Sequence, residues 1–469
     1  MTIHARFPGR LVMLGFGSIG QAVLPLLLRH TAIEPSRITI LSRRGPTNDV
    51  ARRYGVAHLA RRLTRGDYAA ALGEHLGAGD FLLNLSVEVE SVSLMKLCRE
   101  RGALYLDTCI EPWPGRSEDG SLDPGMRSNY ALREEALALR AGADAPTALV
   151  TMGANPGLVS AFVKQALLDL ARDQGLGAPR PARREDWAAL AQRTGVKVIH
   201  VAERDTQLSP RRKERGEFVN TWSVNGFVGE GLQPSELGWG THERHFPPDG
   251  ARHASGSQAA IYLERPGAAT RVRSWTPLEG PYHGFLITHG ESISIADFLT
   301  LRDARGEVRY RPTVHYAYHP CDDAVLSLHE MAGREWKLQA RVRIVRDEIA
   351  SGMDELGVLL LGHPRGAYWY GSRLTVEEAR RLAPYNSATT LQVAAGVLAG
   401  VVYALRHPRR GVLEPDDLDL EEVMPVARPY LGEMAGVYDD WTPLRDRSPL
   451  FPGDADPDDP WQFRNFRVT

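Results

Sequence analysis

Three glycines at fixed spacing constrain this chain more than any other feature. Leu11-Val-Met-Leu14 is a short apolar run that enters Gly15-Phe-Gly-Ser-Ile-Gly20, after which Ala22, Val23, Leu26 and Leu27 recur at helical spacing up to His30. Alone, the glycines would describe only a tight turn. Between a strand and a helix they form a dinucleotide-binding fingerprint. Gly15 permits the turn, Gly17 lets the backbone approach a pyrophosphate, and Gly20 lets helix and strand pack closely. The helix N-terminus at Ser18 and Ile19 adds free N–H groups and a positive dipole for the phosphates.

The rest of the first 155 residues continues the pattern. Strands are expected over 37–41, 81–86, 103–107 and 147–151, with helical stretches over 89–101 and 128–141. Alternating strands and helices imply a Rossmann-type, doubly wound parallel sheet over 1–155. A polar, Pro- and Arg-rich connection over 174–184 follows. Strand-like segments at 197–202, 217–224, 285–288 and 309–317, with few helices between them, predict a second α+β domain with a largely antiparallel sheet. That unit runs over 156–390. The remainder, 391–469, is read as a helix returning to the first domain and an extended arm. Its apolar window over 391–405 is shorter than the ~20 residues needed to span a bilayer and reads as a buried helix.

Composition narrows the function classes. Among 469 residues, Lys+Arg 56 against Asp+Glu 58 leaves a net charge of -2, with 43% hydrophobic and 24% charged residues. A nucleic-acid-coating, membrane or disordered protein is not built this way. Only five of the basic residues are Lys, so Arg-rich stretches reflect a general bias and carry little weight. Three scattered cysteines supply neither a disulfide framework nor a zinc site, which fits a reducing cytoplasm.

Ligands of an open α/β sheet bind beyond the carboxyl ends of its strands. There the chain places Ser42-Arg43-Arg44, Asn84-Leu-Ser86, Asp107-Thr108-Cys-Ile-Glu111-Pro-Trp113 and Gly153-Ala-Asn155-Pro-Gly157. An acid that would hold a ribose 2′-hydroxyl is absent after the second strand. Arg43 can hold a 2′-phosphate or stand in solvent, so NAD and NADP both remain open. Asn155-Pro-Gly reads equally as a functional amide or as a turn that opens the next helix. The second unit mixes acids with aromatics around Glu203, Asn220-Thr-Trp222, Glu230, Glu236-Leu-Gly-Trp239 and His289-Gly-Glu291. Carboxylates and aromatic faces together suit a cationic ligand. The His and acid residues lack metal-ligand spacing, so no metal is expected, and no nucleophile elbow or catalytic cysteine signature occurs.

Taken together, the motifs Gly15-Phe-Gly-Ser-Ile-Gly20, Glu111-Pro-Trp113, Gly153-Ala-Asn-Pro-Gly157, Ala202-Glu-Arg-Asp-Thr206, Asn220-Thr-Trp222-Ser, Glu236-Leu-Gly-Trp-Gly240 and Glu291-Ser-Ile-Ser-Ile-Ala-Asp-Phe298 resemble the bacterial homospermidine synthases, members of the saccharopine-dehydrogenase-like superfamily. The resemblance runs from about residue 10 to Pro460-Trp-Gln-Phe-Arg464. It implies a homodimer that joins two putrescines into sym-homospermidine, releases ammonia, and uses NAD as a recycled hydride carrier. Carried over by motif, the amine-binding and catalytic residues are Glu111, Asn155, Glu203, Trp222, Glu230 and His289. The cofactor residues are Gly15, Gly17, Ser18, Ile19, Gly20, Arg43, Asn84, Ser86, Thr108 and Asn155. The chain departs from the family at Ser42, where an acid is usual, and at Glu88, where a shorter Asp stands. Two other readings compete: an NADPH-dependent imine reductase of the saccharopine or carboxyspermidine type, which needs arginines to clamp a carboxylate, and a non-catalytic dinucleotide sensor.

Overall fold

Short runs buried on both faces are what a parallel sheet covered by helices demands. In the computed structural model, which describes residues 2–46, 48–87, 89–116, 119–140, 144–177, 179–447, 453 and 455–468, the first unit supplies them. Its strands are β1 (Leu11–Leu14), β2 (Ile38–Ser42), β3 (Ala57–Ala60), β4 (Phe81–Asn84), β5 (Leu104–Asp107) and β6 (Ala148–Leu149), and every residue of β1, β4 and β5 is buried. They pair in parallel in the spatial order 3-2-1-4-5-6, and Val412–Leu413, from far along the chain, adds a seventh strand beside β6. The doubly wound sheet read from the sequence is therefore present. Leu14 is level with Leu41 and Asn84, and Asn84 with Asp107, so the chain leaves four strands at one height and the loops that follow form a single rim.

Local signals set the element ends. Gly102, in the left-handed region at φ 70°, stops the Ser91–Arg101 helix, and the Ser128 hydroxyl accepts the Ala131 N–H to start Asn129–Leu137. Both helices are shorter than the apolar pattern predicts.

The second sheet has β7 (Val198–Asp205) at its centre, parallel to Thr313–His319 and antiparallel to Met353–Leu361. Beyond these lie Pro234–Gly238 on one side and Ala367–Thr375 on the other, so the sheet is mixed and largely antiparallel. Register decides which side chains meet. Glu203 lies opposite Tyr318 and Leu356, Val201 opposite Tyr316, and Asp205 opposite Asp354, so these residues share one face. The other face carries Ala202, Leu359 and Ala317, covered by Trp369, Phe463 and Phe466.

Several expectations are corrected. The strand expected over 217–224 ends at Asn220, and Val224 begins the helix Val224–Leu232, whose first turn is capped by the Ser223 hydroxyl. The segment 286–288 is not strand: Gly280–Phe285 is, and Gly290–Phe298 is a helix. Helices Arg184–Thr194 and Asp322–Ala332 also escaped the pattern. Gly290–Phe298 is buried nearly all round, which erases the apolar stripe that marks a surface helix.

After residue 387 the chain serves both units. Ala388–Arg406 packs against Ser18–His30 and is 89% buried over the window long and apolar enough to cross a membrane. Glu433–Asp439 extends the second sheet. Residues 448–452 and 454 of the expected arm lie outside the described residues, but the segment after it is core, with Phe463 and Phe466 fully buried.

One contact ties this late helix to the rim. A Cβ built on Gly396 would lie 1.9 Å from the Gly153 carbonyl oxygen, whereas one on the exposed helical Gly229 meets nothing within 4 Å. Gly396→Ala is therefore expected to lower stability by about 1–3 kcal/mol through overpacking. Gly229→Ala should gain about 0.5–1 kcal/mol, because a helical glycine loses more backbone freedom on folding. Denaturant unfolding of the two variants checks this, and equal midpoints would refute it.

Candidate active site

The rim of the first sheet and the inner face of the second enclose a cleft of about 640 Å³. At one end stands the glycine turn. Gly15 has φ 91°, and a Cβ there would strike the Leu85 carbonyl at 2.5 Å, so glycine is required. A Cβ on Gly17 would meet nothing within 4 Å, which leaves its backbone open to the cleft beside Ser18 and Ile19. A dinucleotide pyrophosphate fits such a cradle, and no acid occupies the first turn of the helix to repel it. Arg43, Ser86 and Thr108 line the same end, together with Arg61, Arg62 and Arg65. Ser42 Oγ bonds His58 Nε2 at 2.7 Å.

Two expected cofactor residues do not reach the cleft. Gly20 packs inward, where a Cβ would lie 2.9 Å from the Gly15 carbonyl, as close helix–strand packing requires. Asn84 is buried and acts one step removed: its Oδ1 accepts from Ser86 Oγ at 2.6 Å and from Ser86 N at 3.2 Å. Glu88 lies outside the described residues.

The other end gathers all six expected amine residues: Glu111, Asn155, Glu203, Trp222, Glu230 and His289 line it. Each comes from a different local device. Glu111 follows β5, and its N–H donates to Ser91 Oγ at 3.0 Å. Asn155 tips a loop closed by Gly153 N donating to Pro156 O at 2.8 Å, and a Cβ on Gly157 would lie 2.0 Å from the Gly153 oxygen. Asp107, buried under the rim, braces that loop by accepting from Thr151 N at 2.7 Å and from the Tyr105 hydroxyl at 2.7 Å, and burial raises its carboxyl to about 6.

Glu203 is 2% exposed. Asn155 Nδ2 donates to its Oε2 at 2.6 Å, and the Tyr316 hydroxyl donates to the same oxygen. Burial pushes the Glu203 carboxyl up to about 7, against these two hydrogen bonds and the nearby His289, which favour its charge. Two more acids lie along the same face. Asp205 is raised by burial and accepts from Thr221 Oγ1 at 2.7 Å. Asp354 is pushed far above the usual range by burial and by the charges of Glu203 and Asp205, and accepts from Thr389 Oγ1 at 2.6 Å.

His289 sits between Glu291, 3.1 Å from its Nδ1, and Glu230, 3.2 Å from its Nε2. Burial works against the imidazolium, but the two carboxylates outweigh it and hold the histidine well above its ordinary value. Trp222 is half-buried; its Nε1 donates to the Tyr318 hydroxyl at 3.1 Å and its ring packs beside Phe227. Tyr316 lines the cleft, and Tyr318 stacks behind it with ring centroids 5.2 Å apart. Sequence reasoning assigned no role to Tyr316, or to Tyr318 and Asp354 behind the cleft. The alternation of strand 313–319 against β7 is the signal that finds the tyrosines once the register is known.

The chain matches the saccharopine dehydrogenase NADP binding domain over residues 11–150 and the saccharopine dehydrogenase C-terminal domain over 153–439. Homospermidine synthase of Blastochloris viridis is 54% identical over 99% of this chain and 98% of its own length, and that of Mesorhizobium japonicum is 51% identical over the same shares. The chain belongs to the homospermidine synthase family. A solved homospermidine synthase from Legionella pneumophila, in complex with NAD, superposes with a TM-score of 0.93 at 50% identity, covering 99% of this chain and 98% of that one. Saccharopine dehydrogenase from Saccharomyces cerevisiae, at 11% identity and a TM-score of 0.50, shares the fold. The homospermidine synthase membership joins both halves of the cleft under one chemistry, since the dinucleotide cradle and the acidic pocket lie in separately matched domains.

The titration of Glu203 has a stability consequence. Its folded pKa, about 7, lies above the ordinary 4.5, so the fold favours the protonated form. The stability this contributes is complete below about 4.5 and is lost as pH rises through about 7. Glu203→Gln, which cannot ionise, should therefore gain thermal stability over the unsubstituted protein as pH rises across that window. A melting-temperature difference independent of pH would refute it.

Proposed function

We infer that this chain joins two putrescines into sym-homospermidine with release of ammonia, using NAD as a recycled hydride carrier. The carrying observation is a buried carboxylate, Glu203, held by Asn155 and Tyr316 in the same cleft as a dinucleotide cradle. Bound NAD supplies a hydride acceptor that returns what it takes, so an amine carbon is oxidised to an imine and the new secondary imine is reduced with no net redox change. Gly15, Gly17, Ser18, Ile19, Arg43, Ser86 and Thr108 would hold it.

The protein's own groups handle protons and charge. Putrescine enters as a dication, and only a neutral amine can lose hydride or attack an imine, so one carboxylate must take a proton. Glu203 is suited to this because its pKa of about 7 lies near working pH. We assign it the base, Asn155 its orientation, and Glu111 and Glu230 the ammonium groups. His289, fixed as a cation by Glu230 and Glu291, holds Glu230 in place. The Trp222 face lies over the cationic carbon centre, where a desolvated cation–π contact is worth about 2 kcal/mol. On the family resemblance, we propose that the chain works as a cytoplasmic homodimer.

The imine-reductase alternative needs arginines where the substrate's carboxylate would sit. The arginines lining the cleft, Arg43, Arg61, Arg62 and Arg65, cluster on the first unit beside the dinucleotide cradle, while the amine end carries Glu111, Glu203 and Glu230. This distribution favours a diamine. Incubation with putrescine and NAD should yield homospermidine with no accumulation of reduced cofactor, and stoichiometric NADH would refute the recycled hydride. Glu203→Gln should lower turnover by the ~10²–10⁴-fold that a positioned proton acceptor contributes, while dinucleotide stays bound.

Trp222 admits a sharper test. If its ring stabilises a cation, Trp222→Phe should keep part of the rate and Trp222→Leu should lose about 2 kcal/mol of transition-state stabilisation. Steady-state turnover and thermal unfolding are measured together for both. A Leu variant as active as Phe would sink the cation–π role, since leucine fills space without a π face.

A further inference from the structure

The N-terminus of the Ser18–His30 helix receives a cation from the other unit. Arg346 Nη2 donates to Ser18 Oγ at 3.2 Å, and its Nη1 donates to Gln21 Oε1 at 3.2 Å. On its own this is a poor arrangement, because the helix end is itself positive and a guanidinium beside it is repelled. No acid stands in the first helical turn. Burial lowers the guanidinium's pKa, and the acid that counters this, Asp347, is exposed to solvent. Ser18 lines the cleft and Arg346 does not, so the guanidinium adds its charge behind the cradle on which an anion would lie.

The guanidinium is delivered by a rigid piece of chain. Val345 N donates to Asn220 O at 2.9 Å, Ile349 N donates to Arg346 O at 3.1 Å, and Arg380 Nη2 donates to the Arg346 and Asp347 carbonyls at 2.9 and 3.2 Å. Val345 and Ile349 are buried in a small core with Val219 and Val376. The neighbouring Ile344 lines the cleft next to Gly17 and Ser18. With Arg346 donating into the Ser18 oxygen, the hydroxyl proton is free to be given to an acceptor on the cleft side. The phosphate oxygens of a dinucleotide on the glycine cradle are such acceptors.

We propose that Arg346, acting through Ser18, secures the pyrophosphate of the bound dinucleotide and makes its retention depend on the two units lying together. This rests on the dinucleotide reading of the cleft. Arg346 is thus a positioning residue supplied by the unit that carries the amine pocket, and the cofactor is clasped from both sides.

The test measures retention, not turnover. Dinucleotide released on denaturing the purified protein is counted per chain, and exchange of bound NAD against isotopically labelled NAD is timed for the unsubstituted protein, Arg346→Gln, Arg346→Lys and Ser18→Ala. Arg346→Gln should exchange about tenfold faster, the size of effect expected from one charge-assisted hydrogen bond, and Arg346→Lys should recover part of that loss by restoring the charge. Adding Ser18→Ala to Arg346→Gln should cost less than the two changes summed, because both act through one hydroxyl. Exchange in Arg346→Gln within twofold of the unsubstituted protein overturns the proposal. If that variant fails to fold, Arg346→Met, which keeps the buried stem without the charge, decides: exchange within twofold of the unsubstituted rate overturns the proposal, and about tenfold faster exchange upholds it. An unsubstituted protein that carries no dinucleotide and takes none up on titration overturns the cofactor reading itself, an outcome distinct from full retention in the variants.

Discussion

A carboxylate removed from water must be either neutralised or surrounded by donors, and at Glu203 the fold does some of each. Its Oε2 has two donors, Asn155 and Tyr316, which arrive from the rim of one sheet and the face of the other. Neither unit alone could satisfy it. The loop that carries Asn155 is closed by Gly153 and Gly157 and backed by Gly396, where side chains larger than hydrogen have no room. The strand that carries Tyr316 is locked in register with β7 through its whole length. Much of the architecture between residues 150 and 406 thus serves to bring an amide and a phenol to one oxygen atom.

The burial that makes Glu203 costly also makes it useful. A solvated glutamate would be fully ionised at neutral pH and a weak proton acceptor, whereas burial lifts this one to about 7. Asp205 and Asp354 lie on the same face, and burial together with mutual repulsion opposes full ionisation of all three acids. A dicationic diamine relieves that repulsion on entering. If Glu203 is the base, as proposed, recognition of the substrate and adjustment of the base are the same electrostatic event, and an apolar ligand of equal length would gain nothing from it.

Legibility in the sequence follows how local each signal is. The glycine turn, the parallel sheet and the strand ends could be read directly, because strand–turn–helix context and short apolar runs are contiguous in the chain. Gly20 packs helix on strand as the motif implies, and neither it nor Asn84 lines the cleft, since a motif names the residues of a neighbourhood without saying which face the cleft. The places of Tyr316, Tyr318 and Asp354 beside Glu203 could not be read, because they depend on pairing with β7, a relation spanning more than a hundred residues. Trp222 and Glu230 were found by composition, although the strand expected through 224 gives way to the helix Val224–Leu232 that positions Glu230. The family resemblance supplied the roles that the residues alone left open, above all for Asn155, whose Asn-Pro-Gly setting is a turn that also brings its amide to Glu203.

Placing the cofactor on a sheet edge and the amine pocket on a sheet face has a chemical consequence. A recycled hydride requires the oxidised carbon to stay within reach of the same cofactor while ammonia leaves and a second amine attacks. Any dissociation in that interval would release an imine to water and strand the cofactor in its reduced form. A cleft formed between two units, with a cationic latch at one end and buried acids at the other, restrains both partners at once. Its walls include Trp222 and Tyr316; under the proposed chemistry they would keep water from the carbon that carries the charge, and in a dry site each fixed dipole acts more strongly on that charge. The enclosure that raises the pKa of Glu203 is thus the same one that would protect the imine, so opening the cleft to solvent would weaken the base and expose the intermediate together.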